Sequence, residues 1–191
     1  MSYIGSKRSS SLVSFNEGTI GSSVVFPAEV SPIQKIRTEE ISGAISYHFD
    51  GVFSSTYHSY EIILSNGIWT AASGLLQMRL RTSNGDDISN VYNNRTLTVT
   101  STPSVASQFS STTNNIWGLT YTGNTVTDAI SVHVFIQNPY LPTKTIFYSN
   151  SRDNLDQSGG STNNNTQYTG FSLFSSIATN FSGTIHVYGY R

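Results

Sequence analysis

The sequence predicts an all-β protein, an antiparallel β-sandwich of jelly-roll type with an extended N-terminal arm. Three observations predict it. From Ile41 onward, short apolar runs alternate with polar residues at period two, as half-buried strands do. Turn signals separate these runs, among them Asp50-Gly51, Asn66-Gly67, Asn84-Gly85 and Gly123-Asn124. No helical periodicity lasts longer than about two turns. About eight or nine short strands in series indicate a sandwich.

Residues 1–40 read as an arm or anchor, and residues 41–191 as the sandwich. The arm opens with Lys7, Arg8 and a serine run, then carries one short strand, Thr19 to Phe26, stopped by Pro27. Its apolar residues Ile20, Val24, Val25 and Phe26 are the candidate assembly interface, because the segment has too few such residues to fold alone.

The sandwich strands follow in order. Ile45 to Phe49 alternates and breaks at Asp50-Gly51, and Tyr60 to Leu64 ends at the Asn66-Gly67 turn. Gly74 to Arg81 places Leu76, Met78 and Leu80 on one face with Gln77, Arg79 and Arg81 on the other. Thr96 to Thr100 is a weaker strand with Leu97 and Val99 inward, and Asn115 to Thr122 is another, with Ile116, Trp117, Leu119 and Tyr121. Ile130 to Ile136 sets four β-branched residues on one face and ends before Pro139 and Pro142. Lys144 to Ser149 is a strand, Ser151 to Thr166 a loop, and Tyr168 to Ser175 a strand. After the Ser182-Gly183 turn signal, Phe181 to Arg191 closes the set, with Ile185 and Val187 sealing the core.

Composition narrows function by exclusion. Charged residues make up 11% of the chain, against about 25% in typical soluble domains. Eleven Tyr, ten Phe and a formal net charge of −1 accompany them. A nucleic-acid or anionic-membrane partner requires a basic patch, so neither is expected. With no cysteine there is no disulfide, thiol nucleophile or Cys-ligated zinc. No window approaches about eighteen apolar residues, so no membrane insertion is expected. Met1 to Phe15 has a basic pair without a long apolar run, so no secretory signal is expected there.

No residue set is expected to be catalytic, to bind a cofactor or to hold a metal. His48, His58, His133 and His186 lack the close spacing of a helical metal motif. Asp86-Asp87 and the pair Asp153 and Asp156 lack the spaced oxygens of a calcium loop, and turn formation explains them. As glycosidase acids such carboxylates would have to face each other across a cleft, which nothing in their spacing arranges. Aromatic residues flanked by Asn and Ser are the better candidates, since such rings stack on sugars or build protein contacts. Trp69, Trp117, Tyr188 and Tyr190 are the candidate surface contacts.

The run IGSSVVFPAEVSPIQKI (residues 20–36), then YHFDGVFSSTYHSYEIILSN (47–66), LLQMRLRTSNGDD (75–87) and FSGTIHVYGYR (181–191), resembles in order the jelly-roll virion structural proteins of tailed phages, of the cyanophage or marine-phage tail-fibre and decoration type. Glu29 stands where that pattern usually has Gly. The resemblance implies a non-enzymatic structural role in the virion, assembled in the host cytoplasm, with other virion proteins as partners. It also implies a homo-oligomer, a trimer favoured, and a host-surface glycan as ligand. A tail fibre or tail tip is the first expectation, a capsid decoration protein the second and a stand-alone carbohydrate-binding module the third.

Overall fold

Ile130, Val132, Val134 and Ile136 are all buried, while His133, Phe135 and Gln137 between them are exposed. β-Branched residues at every second position hold the backbone extended and drive one face inward, and the same rule builds most of the architecture. The computed structural model describes residues 32–70, 74–99, 106–121, 129–151 and 156–191, with backbone alone at 98–99, 106–113 and 121. These residues belong to one compact unit, Pro32–Arg191. Ile20, Val24, Val25 and Phe26 lie outside the described residues, as does the strand expected at 19–26.

Thirteen strands are described: β1 Ile33–Ala44, β2 Ser46–Phe49, β3 Ser59–Trp69, β4 Leu75–Thr82, β5 Gly85–Asp86, β6 Tyr92–Val99, β7 Ala106–Asn114, β8 Trp117–Tyr121, β9 Ile130–Gln137, β10 Ile146–Ser151, β11 Gln157–Thr162, β12 Gly170–Ser175 and β13 Phe181–Tyr190. All pairings are antiparallel. The larger sheet runs β1-β13-β3-β9-β10-β11-β6-β7, and the smaller runs β2-β12-β4-β5 with β8 also on β4.

Four of these pairings are nested. β1 pairs with β13, β2 with β12, β3 with β9 and β4 with β8, so the chain folds back on itself like one long ribbon rolled into two sheets. This all-β antiparallel sandwich has the strand order compatible with a jelly roll. Two inserted hairpins, β6-β7 and β10-β11, pair with each other through β11 and β6 and lengthen the larger sheet beyond β9.

Three boundaries differ from the sequence expectation. The sandwich begins at Ile33 rather than residue 41, because the charged segment Lys35, Arg37, Glu39 and Glu40 is an edge strand, where charge is tolerated. The Asn66-Gly67 turn is instead a bulge inside β3. Leu64 pairs with Val132 and Gly67 with Ile130, so β3 carries one extra residue, and Asn66 takes the left-handed conformation at φ 53°. The inward parity shifts with it, from Tyr60, Ile62 and Leu64 to Gly67 and Trp69. Ser182-Gly183 likewise lies within β13, opposite that bulge.

The third difference concerns the inserted hairpins. Residues 157–162, read as loop, form β11; Ser149 of the neighbouring β10 and Ser158 of β11 itself are buried and both donate to the Leu119 carbonyl, at 3.0 and 3.2 Å. An interior lined by hydroxyls gives no apolar alternation to read. In β6 the buried set is Tyr92, Asn94 and Thr96, and Leu97 points outward at 41% exposure. The register follows the largest side chain: Tyr92 meets Trp117 edge-on with centroids 5.1 Å apart. The side chain of Val99 lies outside the described ones.

Aromatic pairs tie strands within each sheet, Phe49 stacking on Phe171 at 4.7 Å in the smaller and Trp69 on Phe181 at 5.6 Å in the larger. Between the two sheets, Tyr47 of β2 meets Phe181 of β13 edge-on at 5.0 Å. Trp117 of β8 stacks on Phe147 of β10 at 4.2 Å, which closes the extended part of the larger sheet over the smaller one.

Candidate binding face

The outward positions of the larger sheet align in rows, because paired residues of neighbouring strands point the same way. One row is Lys35, Tyr188, Glu61, Phe135 and Tyr148 across β1, β13, β3, β9 and β10. The next is Ile33, Tyr190, Ser59, Gln137 and Ile146. On the other side lie Thr38, His186, Ile63, His133 and Asn150. Phe135, Ile146, Tyr148 and Ile33 are 38–47% exposed, so the middle of this face offers contiguous apolar and aromatic surface to solvent.

Its polar groups are fixed. Tyr190 donates from its hydroxyl to Glu61 Oε2 at 2.7 Å, and His133 Nδ1 lies 3.1 Å from Glu61 Oε1, so both carboxylate oxygens are engaged. Burial and the Glu61 carboxylate push the Tyr190 phenol up to about 12, which keeps it a donor at neutral pH. The Tyr190 ring also rests against Phe135, with centroids 5.6 Å apart. His186 is tied to Thr38 and Ser65 and lies beside Tyr188. The face is therefore a preset surface of rings around one pinned carboxylate, suited to burial against a partner.

Of the expected contacts, Tyr188 and Tyr190 stand on this face, half-buried. Trp69 and Trp117 do not: they are 2% and 0% exposed, and both belong to the core. Each lies on the inward parity of its strand, where its large ring area is removed from water. Phe135 and Tyr148 are the central members of the face. Phe135 alternates with buried Val134 and Ile136, and Tyr148 with buried Phe147 and Ser149; that parity is the signal by which the sequence marks them.

The acidic pairs separate. Asp86 accepts from Arg81 Nη1 at 2.6 Å and from Ser172 Oγ at 2.6 Å, and Arg81 Nε also donates to Asp50 at 2.7 Å. His48 Nδ1 lies 2.7 Å from Ser172 Oγ and 3.1 Å from Arg81 Nη1. A serine, a histidine and an aspartate thus meet, but the carboxylate contacts the serine rather than the imidazole, and Ser172 is 0% exposed. Nucleophilic catalysis needs the opposite order and an open hydroxyl. This cluster fastens β2, β12 and β4 together. Asp153 lies outside the described residues, and Asp156 is buried, with Oδ2 accepting from Thr120 at 2.9 Å. Among the described residues no group of three or more His, Asp or Glu is placed to hold a metal.

Asp87 anchors a different junction. Tyr168 donates to its Oδ2 at 2.7 Å, Asn164 at 3.3 Å, and Ser89 donates to Oδ1 from backbone and hydroxyl. Burial pushes the Asp87 carboxyl up, but these hydrogen bonds outweigh it and hold it below the ordinary aspartate value. Such a group lends stability above its unfolded value, about 3.9, that is lost as pH falls through the folded one. The gap in urea midpoint between the protein and Asp87→Asn is expected to narrow as pH drops below about 4; a gap independent of pH contradicts the assignment.

No protein-family model matches the chain, and no curated protein matches it.

Proposed function

We propose that the chain is a structural protein of a tailed-phage virion, a tail-fibre or tail-tip component held to the particle by the residues ahead of β1, with the sandwich presented for assembly or host-surface binding. The order of sequence motifs supports the phage assignment. The observation that carries the docking role is the outer face of the larger sheet. There Phe135, Ile146 and Tyr148 are exposed on adjacent strands beside the fixed Glu61, Tyr190 and His133 cluster. Aromatic surface with little free charge is the composition of a protein interface core.

Two measurements test it. Mass spectrometry and immunogold labelling of purified particles are expected to find the protein at fixed stoichiometry on the tail; its absence from particles overturns the reading. Phe135→Ser combined with Tyr148→Ser is expected to change stability by no more than about 1 kcal/mol, since both rings are exposed. The same variant is expected to reduce incorporation or host adsorption at least tenfold. Labelling over the capsid would instead favour a decoration protein. Phe135 and Tyr148, neighbouring exposed rings, also form a platform on which a sugar ring can stack, which favours the carbohydrate-binding reading as the second. Glycan-array binding by the free protein, abolished by the same variant, distinguishes that case.

A further inference from the structure

The eight-stranded sheet has two ends, and they are built differently. At one end β1 contains Lys35, Arg37, Glu39 and Glu40, follows Pro32, and breaks register with β13 twice, between Lys35 and Arg37 and between Ile41 and Ala44. Charge, proline and bulges are the devices by which edge strands avoid pairing with another chain. At the other end β7, Ala106–Asn114, carries neither charge nor proline, and its one register break with β6, between Tyr92 and Asn94, falls at its Asn114 end. Its sequence ASQFSSTTN contains no charge and no proline, and the whole run of residues 96–127 is free of charged side chains. Its pairing with β6 is unbroken from Asn94 opposite Ser111 to Val99 opposite Ala106. Among the described residues, no strand pairs with the other side of β7.

We propose that β7 is an assembly edge that pairs, antiparallel, with β7 of a second copy of this chain across a two-fold axis. An isologous contact sets each strand against its own sequence reversed, so any charge on it would meet the same charge close by. Like charges opposite each other destabilise a strand pair, whereas Ser and Thr pairs support one. A strand of serine, threonine and amide residues with only Ala106 and Phe109 beside them satisfies that requirement, and β1 does not. The joint uses main-chain hydrogen bonds, which the stretch Ala106 to Ser111, paired with β6 without a break, offers in register. It leaves the outer face of the sheet free, so it does not depend on the docking role given to that face.

Sedimentation of the full chain at micromolar concentrations tests this. The protein is expected to be a dimer, and Ser107→Lys combined with Ser111→Lys is expected to weaken it at least thirtyfold while the circular dichroism is unchanged. Ser107→Glu combined with Ser111→Glu is expected to behave alike. Mixing the lysine and glutamate forms is expected to restore a heterodimer that dissociates in high salt. That recovery excludes misfolding as the cause of weakening. A monomeric or trimeric natural protein overturns the proposal, as does a dimer that survives both pairs of substitutions. A trimer would leave the fibre reading standing, because a single self-pairing edge joins two copies and not three.

Discussion

Trp117→Ala is expected to lower the unfolding free energy by about 4 kcal/mol, within the range for emptying a buried aromatic site. The indole is fully buried, stacked on Phe147 at 4.2 Å and met edge-on by Tyr92. It belongs to β8 of the smaller sheet, while its partners belong to β10 and β6 of the larger, so its removal opens the joint between the sheets as well as a cavity. Trp117 Nε1 is buried without a hydrogen-bond partner, so the ring contributes by volume and contact alone. Trp117→Phe is therefore expected to cost less than half as much, about 1.5 kcal/mol. Urea unfolding of the two variants checks the ratio. Equal losses would show that the nitrogen matters after all.

Two adjacent glycines should respond in opposite ways. A Cβ on Gly160 would stand 1.9 Å from the Asn93 carbonyl oxygen, a distance that only movement of β6 or β11 relieves. Gly160→Ala is expected to cost about 3 kcal/mol, the upper part of the range for overpacking. At Gly159 the nearest atom would be the Phe147 carbonyl oxygen at 3.6 Å, an ordinary contact. Gly159→Ala is expected to be neutral or to stabilise by up to about 1 kcal/mol through the unfolded chain. Thermal unfolding of the pair is the check, and similar melting temperatures would contradict the close approach of β11 to β6. Gly170 repeats the first case in the smaller sheet, where a Cβ would meet the Phe49 carbonyl oxygen at 2.1 Å.

The same glycines show where sequence reading reaches its limit. β4 and β9 were legible because their buried sets, Leu76, Met78, Leu80 and Ile130 to Ile136, are apolar and strictly alternating. β11 was not, because Gln157-Ser158-Gly159-Gly160-Ser161-Thr162 has neither apolar residues nor strand propensity. It is a strand because β10 and β6 pair with its two sides and Trp117 closes the layer beneath them. At Asn66-Gly67 the local signal was real and its consequence different: the left-handed residue that serves a hairpin turn serves a bulge equally well, and only pairing partners decide. The candidate binding face was half legible. Tyr188 and Tyr190 followed from the alternation of β13, whereas the two tryptophans drew attention by residue type although their parity placed them inward.

The nested pairing also governs when the sheets can form. β13, residues 181–190, lies between β1 and β3, so β3 has no neighbour on that side until the most distant described strand has been made. Contacts that span nearly the whole sequence are slow to close, because loop entropy must be overcome before they stabilise anything. On the ribosome the early strands would wait with unpaired edges, and Phe49, Tyr60 and Trp69, buried in the finished sandwich, would stay open to other chains. That interval is when association with another chain competes with folding. Refolding is accordingly expected to be slow for a protein of this size, and the unfinished sandwich, rather than the finished one, to be the species most in need of protection.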